Sequence, residues 1–226
     1  MSPTGGKCFL ACLKRAGHFT CLVSGLFLAV PVAGEGADID ADGWRLVETI
    51  AAGQIYHREV EGSSVPWAML VTTFDTPPER VHEVVVDYDH FADFIPNVFK
   101  SRVLAHEGKS QWVYHHLQFS SPITDRVYLI RSTDRECRVQ QPCYRVEWEL
   151  DDRSFQDIDL SAGIQPNAFS GFWELRSTEK PNRTEGRYAV HSEPGGFIPG
   201  WLVTRMTDRY IQQVVEAVRE RLGVGR

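Results

Sequence analysis

The sequence lacks the short motifs that mark common catalytic and nucleotide-binding sites. It has no serine in a nucleophile-elbow pattern, no glycine-rich phosphate loop and no metal-binding helix motif. The histidines form no site either, because His115 and His116 are adjacent on a predicted strand and point to opposite faces. We therefore expect no catalytic residue, no metal and no cofactor.

The chain also lacks an excess of basic residues. It has 24 Lys and Arg against 30 Asp and Glu, which gives a formal net charge of -6. An acidic chain without a basic stripe argues against nucleic-acid binding and against stable electrostatic docking on anionic lipid, although a local basic patch is compatible with it. A hydrophobic content of 42% and a charged content of 24% are typical of a folded globular protein.

Long hydrophobic runs are absent except near the N-terminus. Lys14 and Arg15 precede an apolar run over residues 19–33, and small residues follow from Gly34. A basic start, a short apolar middle and a small-residue exit predict an export signal over residues 1–34. The expected product is a periplasmic or secreted single domain over residues 38–226. An uncleaved membrane anchor and a buried helix are the alternatives.

Few cysteines remain after this segment. Cys137 and Cys143 are the two that follow residue 34, and they flank a short turn between two strand-like runs. A disulfide between them is expected in an oxidising compartment, and two free thiols are the alternative.

Alternating polar and apolar residues dominate the rest of the chain. Residues 144–150 are the clearest case, because Tyr144, Val146, Trp148 and Leu150 share one face of a strand. Short connections between such runs favour an antiparallel sheet with one buried face. Strands are predicted over residues 54–60, 66–74, 111–119, 126–133, 144–150, 169–177 and 187–192.

Three segments have helical spacing. Residues 41–51 predict a short amphipathic helix ending at Gly53, and a second helix follows Pro77 and Pro78. A long helix between Pro199 and Gly223 carries an apolar stripe that must lie on the sheet. The stripe consists of Val203, Met206, Tyr210, Val214, Val218 and Leu222. The space between sheet and helix is either filled by side chains or open to a ligand.

Three segments resemble the START/polyketide-cyclase superfamily, which includes Bet v 1-like proteins. They are residues 87–104, Pro122–Arg131 and Glu193–Val203, the last with Pro-Gly-Gly and Pro-Gly-Trp before the final helix. The resemblance covers about residues 45–222. It implies an α+β helix-grip fold, with about seven curved antiparallel strands around the C-terminal helix and an apolar tunnel between them. Arg126 is followed by Val127 where the family often has Asp, so a polar contact of that Asp is not carried over.

The resemblance also implies binding residues. Arg131 would point into the tunnel and meet a ligand headgroup or a buried carboxylate such as Glu107 or Glu147; a solvated strand arginine is the alternative. The other candidates have core packing as their alternative role. They are Trp112, Trp148, Trp173 and Tyr188 on strands, and Trp201, Val203 and Met206 on a mobile lid. Gly195, Gly196 and Gly200 would give this lid backbone freedom.

The leading functional hypothesis is a monomer that binds a lipid or other apolar molecule without catalysis. It would transfer this molecule between membranes through transient contact, with the C-terminal helix as gate. An aromatase/cyclase-like enzyme is the alternative, and it needs an acid or base inside the pocket, such as Arg131 with a nearby Glu or Tyr. A protein-interaction domain with a filled core is the third hypothesis.

Overall fold

The computed structural model describes residues 42–137, 142–156 and 158–223. The predicted export signal over residues 1–34 lies outside these ranges. Nine strands form one sheet in the order β1-β2-β3-β9-β8-β7-β6-β5-β4, and every neighbouring pair is antiparallel. The strands are β1 Arg45–Ile50, β2 Gly53–Arg58, β3 Trp67–Phe74, β4 Val98–Glu107, β5 Ser110–Leu117, β6 Arg126–Arg135, β7 Cys143–Leu150, β8 Ala168–Ser177 and β9 Thr184–Glu193.

In the described part of the chain, three α-helices accompany the sheet. They are α1 Pro78–Val85, α2 Phe91–Phe94 and α3 Gly200–Leu222, and single 3-10 turns lie at Tyr88–His90 and Leu160–Ala162. The sheet wraps around α3, which confirms the predicted α+β helix-grip architecture. The described residues contribute nine strands, against the predicted seven or so. No helix in the described ranges is long and apolar enough to cross a bilayer.

One of the additional strands corrects the predicted helix over residues 41–51. Residues Arg45–Ile50 form the edge strand β1, which pairs with β2 from Arg45↔His57 to Ile50↔Gly53. Most of its side chains are exposed, so the apparent amphipathic pattern has no core to face. Ala51 and Ala52 form the turn, and Gly53 begins β2 at φ 148°, where a Cβ atom would lie 2.1 Å from the Val71 carbonyl oxygen. Pairing with β2, rather than local helical spacing, therefore decides the structure here.

The core lies between the inner face of the sheet and helices α1 and α3. Leu70, Val113, Leu175 and Val190 are buried on the inner face, and Val81 of α1 is buried against them. Helix α3 buries Val203, Thr207, Ile211, Val214, Val215, Ala217 and Val218. The predicted apolar stripe therefore divides into two parts. Its Val203, Val214 and Val218 are buried, whereas Met206 and Tyr210 are only half-buried along one edge of the helix.

Polar contacts also join α3 to the sheet. The Arg219 guanidinium donates hydrogen bonds to the Ala52 carbonyl oxygen at 3.1 Å and to the Thr72 hydroxyl. Burial lowers the pKa of Arg219, which nevertheless stays charged because arginine starts from a very high value. Nearer the start of α3, Asp208 contacts His57 of β2. The helix is thus held at two separate points along its length.

Candidate functional site

A cavity lies between α3 and the inner face of the sheet. It has two adjacent chambers, an outer one of about 240 Å³ and an inner one of about 60 Å³. Both chambers are lined by Leu117, Tyr128, Phe169 and Tyr210. Together they reach the lower end of the roughly 300–1,000 Å³ found for small-molecule sites. This space suits one compact molecule and is too small to enclose a two-chain phospholipid.

The outer chamber is mostly apolar and lies at the start of α3. Val203 and Met206 line its helical wall, Ile198 lines it from the preceding loop, and Phe119 and Ile123 line it from the β5–β6 connection. Several of these side chains are only half-buried, so the outer chamber adjoins solvent.

The inner chamber is lined by aromatic and aliphatic side chains. Trp173 and Tyr188 stack with ring centroids 4.3 Å apart, and Tyr128 lies 4.9 Å from Phe169. Among the described residues, its lining contains no Asp, Glu, Lys or Arg. A charged group that entered this chamber would lose its hydration without gaining an ionic partner, which is costly.

The titratable groups of the inner chamber are uncharged at neutral pH. Burial raises the pKa of Tyr88 to about 12 and raises the pKa of Tyr128, Tyr188 and Tyr210 above their ordinary value. Burial also lowers the pKa of His115 to about 3. The chamber can therefore offer neutral hydrogen bonds but no ion pair.

Arg126 fixes the loop that precedes α3. Its guanidinium donates to the carbonyl oxygens of Pro194 at 2.6 Å, Gly195 at 3.2 Å and Thr124. Gly195 and Gly196 have φ values of 70° and 74°, which favour glycine. The arginine thus satisfies loop carbonyl oxygens at the mouth of the cavity, which is a structural role.

Arg131 lies on the outer face of the sheet, so the prediction that it enters the tunnel is wrong. Its side chain is 43% exposed and pairs with Glu149, not with Glu107 or Glu147. Successive strand residues alternate between faces, and Tyr128 and Ile130 occupy the inner one. Arg131 must therefore point outward.

Trp112 lies on the same outer face, because it is the cross-strand partner of Arg131. The Arg153 guanidinium covers the indole ring at 4.2 Å from its centroid and pairs with Glu107 at 2.8 Å. The connection after β7 thus buries Trp112 without bringing it near the cavity, and its predicted role in ligand binding is also wrong.

The remaining predicted residues divide between the cavity and its rim. Trp148, Trp173 and Tyr188 line the inner chamber, and Val203 and Met206 line the outer one. Trp201 is 69% exposed at the start of α3 and lines neither chamber. Four residues earlier, Phe197 is fully exposed on the preceding loop.

The cavity residues that sequence reasoning missed include His115, Tyr128, Phe169 and Tyr210. On β6 both faces are apolar, because the connection after β7 also buries Val127 and Leu129 on the outer side. Alternation alone therefore could not assign Tyr128 to a face. The signal that was available is the position of Tyr210 on the predicted stripe of α3.

The outer face of the sheet carries a second, larger concavity of about 540 Å³. At its centre, Glu174 accepts ion pairs from Arg145 at 2.7 Å, Arg176 at 2.8 Å and Arg187 at 3.8 Å. This charged surface does not suit an apolar ligand, and its groups largely neutralise one another. At one edge of the same sheet region, Cys137 and Cys143 form a disulfide.

Comparison with known proteins agrees with this architecture. Residues 74–219 match the family model described as polyketide cyclase / dehydrase and lipid transport. An uncharacterised protein of Pseudomonas aeruginosa is 24% identical over 183 residues, which cover 77% of this chain and 84% of that protein.

Two solved structures have a similar fold. A STAR-related lipid transfer protein of Xanthomonas axonopodis superposes with a TM-score of 0.68 at 22% identity, covering 80% of this chain and 99% of that one. The Zhui aromatase/cyclase of Streptomyces sp. R1128 gives a TM-score of 0.52 at 16% identity, covering 70% and 93%. With its helix-grip sheet, its apolar cavity and a family match over most of its length, this chain belongs to the polyketide cyclase/dehydrase and lipid transport family.

Proposed function

We propose that this protein binds one apolar molecule in its two-chamber cavity and carries it between membranes without changing it chemically. The observation that carries the proposal is the apolar lining of both chambers beneath α3. Membership of a family that includes lipid transport proteins supports the binding of an apolar ligand. Transfer proteins and cyclases share this fold, so the choice between them depends on the groups inside the cavity.

Those groups favour binding over catalysis. The alternative, a cyclase, needs an acid or base near the ligand, and the expected Arg131 lies on the outer face. The low pKa of His115 makes it a weak base, and the raised pKa values of the tyrosines make them weak acids. A neutral, aromatic chamber supports passive binding of the ligand.

The mouth of the cavity has the composition of a membrane-contacting surface. Phe197 and Trp201 are exposed beside the outer chamber, and Trp201, Arg205 and Arg209 follow one another at four-residue spacing on the exposed side of α3. Aromatic rings bury well at a bilayer interface, and arginines are attracted to anionic headgroups. This arrangement would bring the outer chamber to the bilayer during exchange.

The proposed site of action is the periplasm or the extracellular space. The predicted export signal over residues 1–34 motivates this part of the proposal. The Cys137–Cys143 disulfide supports it, because such bonds persist in oxidising compartments.

Binding of 1-N-phenylnaphthylamine, a neutral dye that fluoresces in apolar sites, tests the proposal. The full-length chain should enhance its fluorescence, and Met206→Trp should abolish the enhancement by filling the outer chamber. Arg205→Trp is the matched control, because it adds the same side chain to the exposed side of α3. Loss of binding in both variants or in neither would contradict the cavity as binding site.

Transfer is tested with dye-loaded phosphatidylcholine vesicles and unloaded acceptor vesicles. The protein should accelerate dye exchange, and Met206→Trp should not. Native mass spectrometry of the purified protein should in addition show a co-purified apolar molecule. If the protein binds the dye but does not accelerate its exchange, the transfer function is refuted and only the binding function is supported.

A further inference from the structure

Three tyrosine side chains line the inner chamber. Tyr128 and Tyr210 line both chambers, and Tyr188 lines the inner one. All three rings therefore belong to the wall of the inner chamber. We call Tyr128, Tyr188 and Tyr210 the tyrosine cluster.

The hydroxyls of the tyrosine cluster have no hydrogen-bond partner among the residues that the structure describes. Tyr88 provides a contrast, because its hydroxyl lies 2.9 Å from the Ser132 hydroxyl in the same chamber. All three hydroxyls keep accessible surface in the cavity, so each can bond to water there or to an atom of a ligand. A ligand that displaces this water must supply a hydrogen-bonding atom, because a hydroxyl left without a partner costs free energy.

Further unsatisfied polar groups line the inner chamber. The indole nitrogen of Trp148 and the Nδ1 atom of His115 are buried and have no hydrogen-bond partner. Trp148 can only donate, and neutral His115 can donate from one ring nitrogen and accept at the other. Neither atom is open to the chamber space, so the hydrogen bonds available to a ligand come from the tyrosine hydroxyls.

We propose that the tyrosine cluster binds an uncharged oxygen atom of the ligand, a carbonyl or a hydroxyl, at the inner end of the cavity. This inference deepens the proposed function and rests on it. The ligand class is a compact apolar molecule whose buried end carries such an oxygen. A carboxylate is excluded from this position because no cation lines the inner chamber among the described residues, and Arg126 already serves three carbonyl oxygens.

The test compares two probes of nearly the same shape. 2-Acetylnaphthalene carries a carbonyl oxygen where 2-isopropylnaphthalene carries a methyl group, and each is titrated against bound 1-N-phenylnaphthylamine. Tyr188→Phe and Tyr210→Phe should each weaken the binding of 2-acetylnaphthalene by about twofold to tenfold. This is the range expected for one lost hydrogen bond. Binding of 2-isopropylnaphthalene should be unchanged or stronger.

Tyr114→Phe is the matched control, because Tyr114 lies on β5 outside both chambers and donates to the Asp159 carbonyl oxygen at 3.3 Å. This change should alter the binding of the two probes to the same extent. The Tyr-to-Phe changes keep the ring, and a thermal unfolding scan verifies that each variant is folded.

The possible outcomes separate the two proposals. If the dye binds but the cluster variants weaken the binding of both probes equally, or of neither, the oxygen site is refuted. The proposal that the cavity binds an apolar molecule is then unaffected. If 2-naphthoate displaces the bound dye at a lower concentration than 2-acetylnaphthalene does, the proposal of an uncharged ligand oxygen is also refuted. If neither the dye nor either probe binds, the proposed function fails, and this inference fails with it.

Discussion

His57 on β2 and Asp208 on α3 are joined by a hydrogen bond of 2.7 Å between Nε2 and Oδ1. The histidine is buried, and the carboxylate is only partly exposed. The pair connects the sheet to the half of α3 that also carries Val203 and Met206, which line the outer chamber. Opening of the cavity by movement of this half of α3 would require the contact to break.

Asp208→Ala is therefore expected to loosen the helix and speed ligand release. Loss of a hydrogen bond to a charged partner should lower the free energy of unfolding by about 1–3 kcal/mol. Stopped-flow dilution of bound 1-N-phenylnaphthylamine measures release, and urea unfolding measures stability. Asp75→Ala is the control, because Asp75 is exposed and has a 3.7 Å contact with Arg183. Equal release rates in both variants would contradict a latch at Asp208.

Phe197 and Trp201 are expected to contribute to membrane contact and not to ligand binding. The double variant Phe197→Ser with Trp201→Ser should reduce co-sedimentation with vesicles containing phosphatidylglycerol and slow dye exchange severalfold. Dye binding in solution should stay unchanged, since Trp201 lines neither chamber. Phe99→Ser is the control, because Phe99 is an exposed aromatic residue on β4. Full vesicle binding by the double variant would rule out this surface.

His115 is expected to make the stability depend on pH. Its pKa falls from about 6.5 in the unfolded chain to about 3 in the folded protein because of burial. The folded state therefore binds fewer protons, and stability from this group is fully present above pH 6.5 and is lost as the pH falls toward 3. Between pH 7 and pH 4 the loss should be about 3 kcal/mol.

His115→Phe should flatten this part of the pH profile by about that amount, measured by urea unfolding at several pH values. The control is His106→Phe at an exposed position of β4, which should leave the slope unchanged. An unaltered slope in His115→Phe would show that His115 titrates normally in the folded protein.

Gly195 is expected to be intolerant of a side chain. At φ 70° a Cβ atom would lie 2.8 Å from the Gln165 carbonyl oxygen. Gly195→Ala should therefore displace the loop held by Arg126 and weaken dye binding, and should lower the free energy of unfolding by more than the roughly 1–2 kcal/mol of a left-handed alanine alone. Gly62→Ala isolates that backbone cost, because Gly62 has φ 78° and open space around it. Equal destabilisation by the two changes would disprove the steric contact.

The sequence predicted the elements whose two faces differ most in polarity. The alternation from Tyr144 to Leu150 and the boundaries of α3 both agree with the structure. The edge strands were missed, because β1 is exposed on nearly all sides and β4 contains two register shifts that interrupt its alternation. Strand pairing, which involves distant parts of the chain, decides both cases.

The candidate site was predicted only in part, for a related reason. Trp148, Trp173 and Tyr188 were assigned to the cavity side correctly, since the opposite face of their strands is charged. Arg131 was misassigned because the resemblance, and not the alternation, placed it in the tunnel; it is partly exposed on the outer face. Trp112 was misassigned because Arg153, on the connection after β7, covers it on the outer face of β5. The alternation within one strand cannot show that a distant segment of the chain packs against its outer face.

The position of α3 after all nine strands has a consequence for biosynthesis. Val203, Met206 and Tyr210 provide one wall of the cavity, yet they are synthesised after every strand that forms the opposite wall. Until α3 is made, only α1 can cover the inner face of the sheet, and the part beneath α3 has no helix against it. The cavity is therefore complete only after the C-terminal helix has docked, and the proposed binding of a ligand has to follow that step.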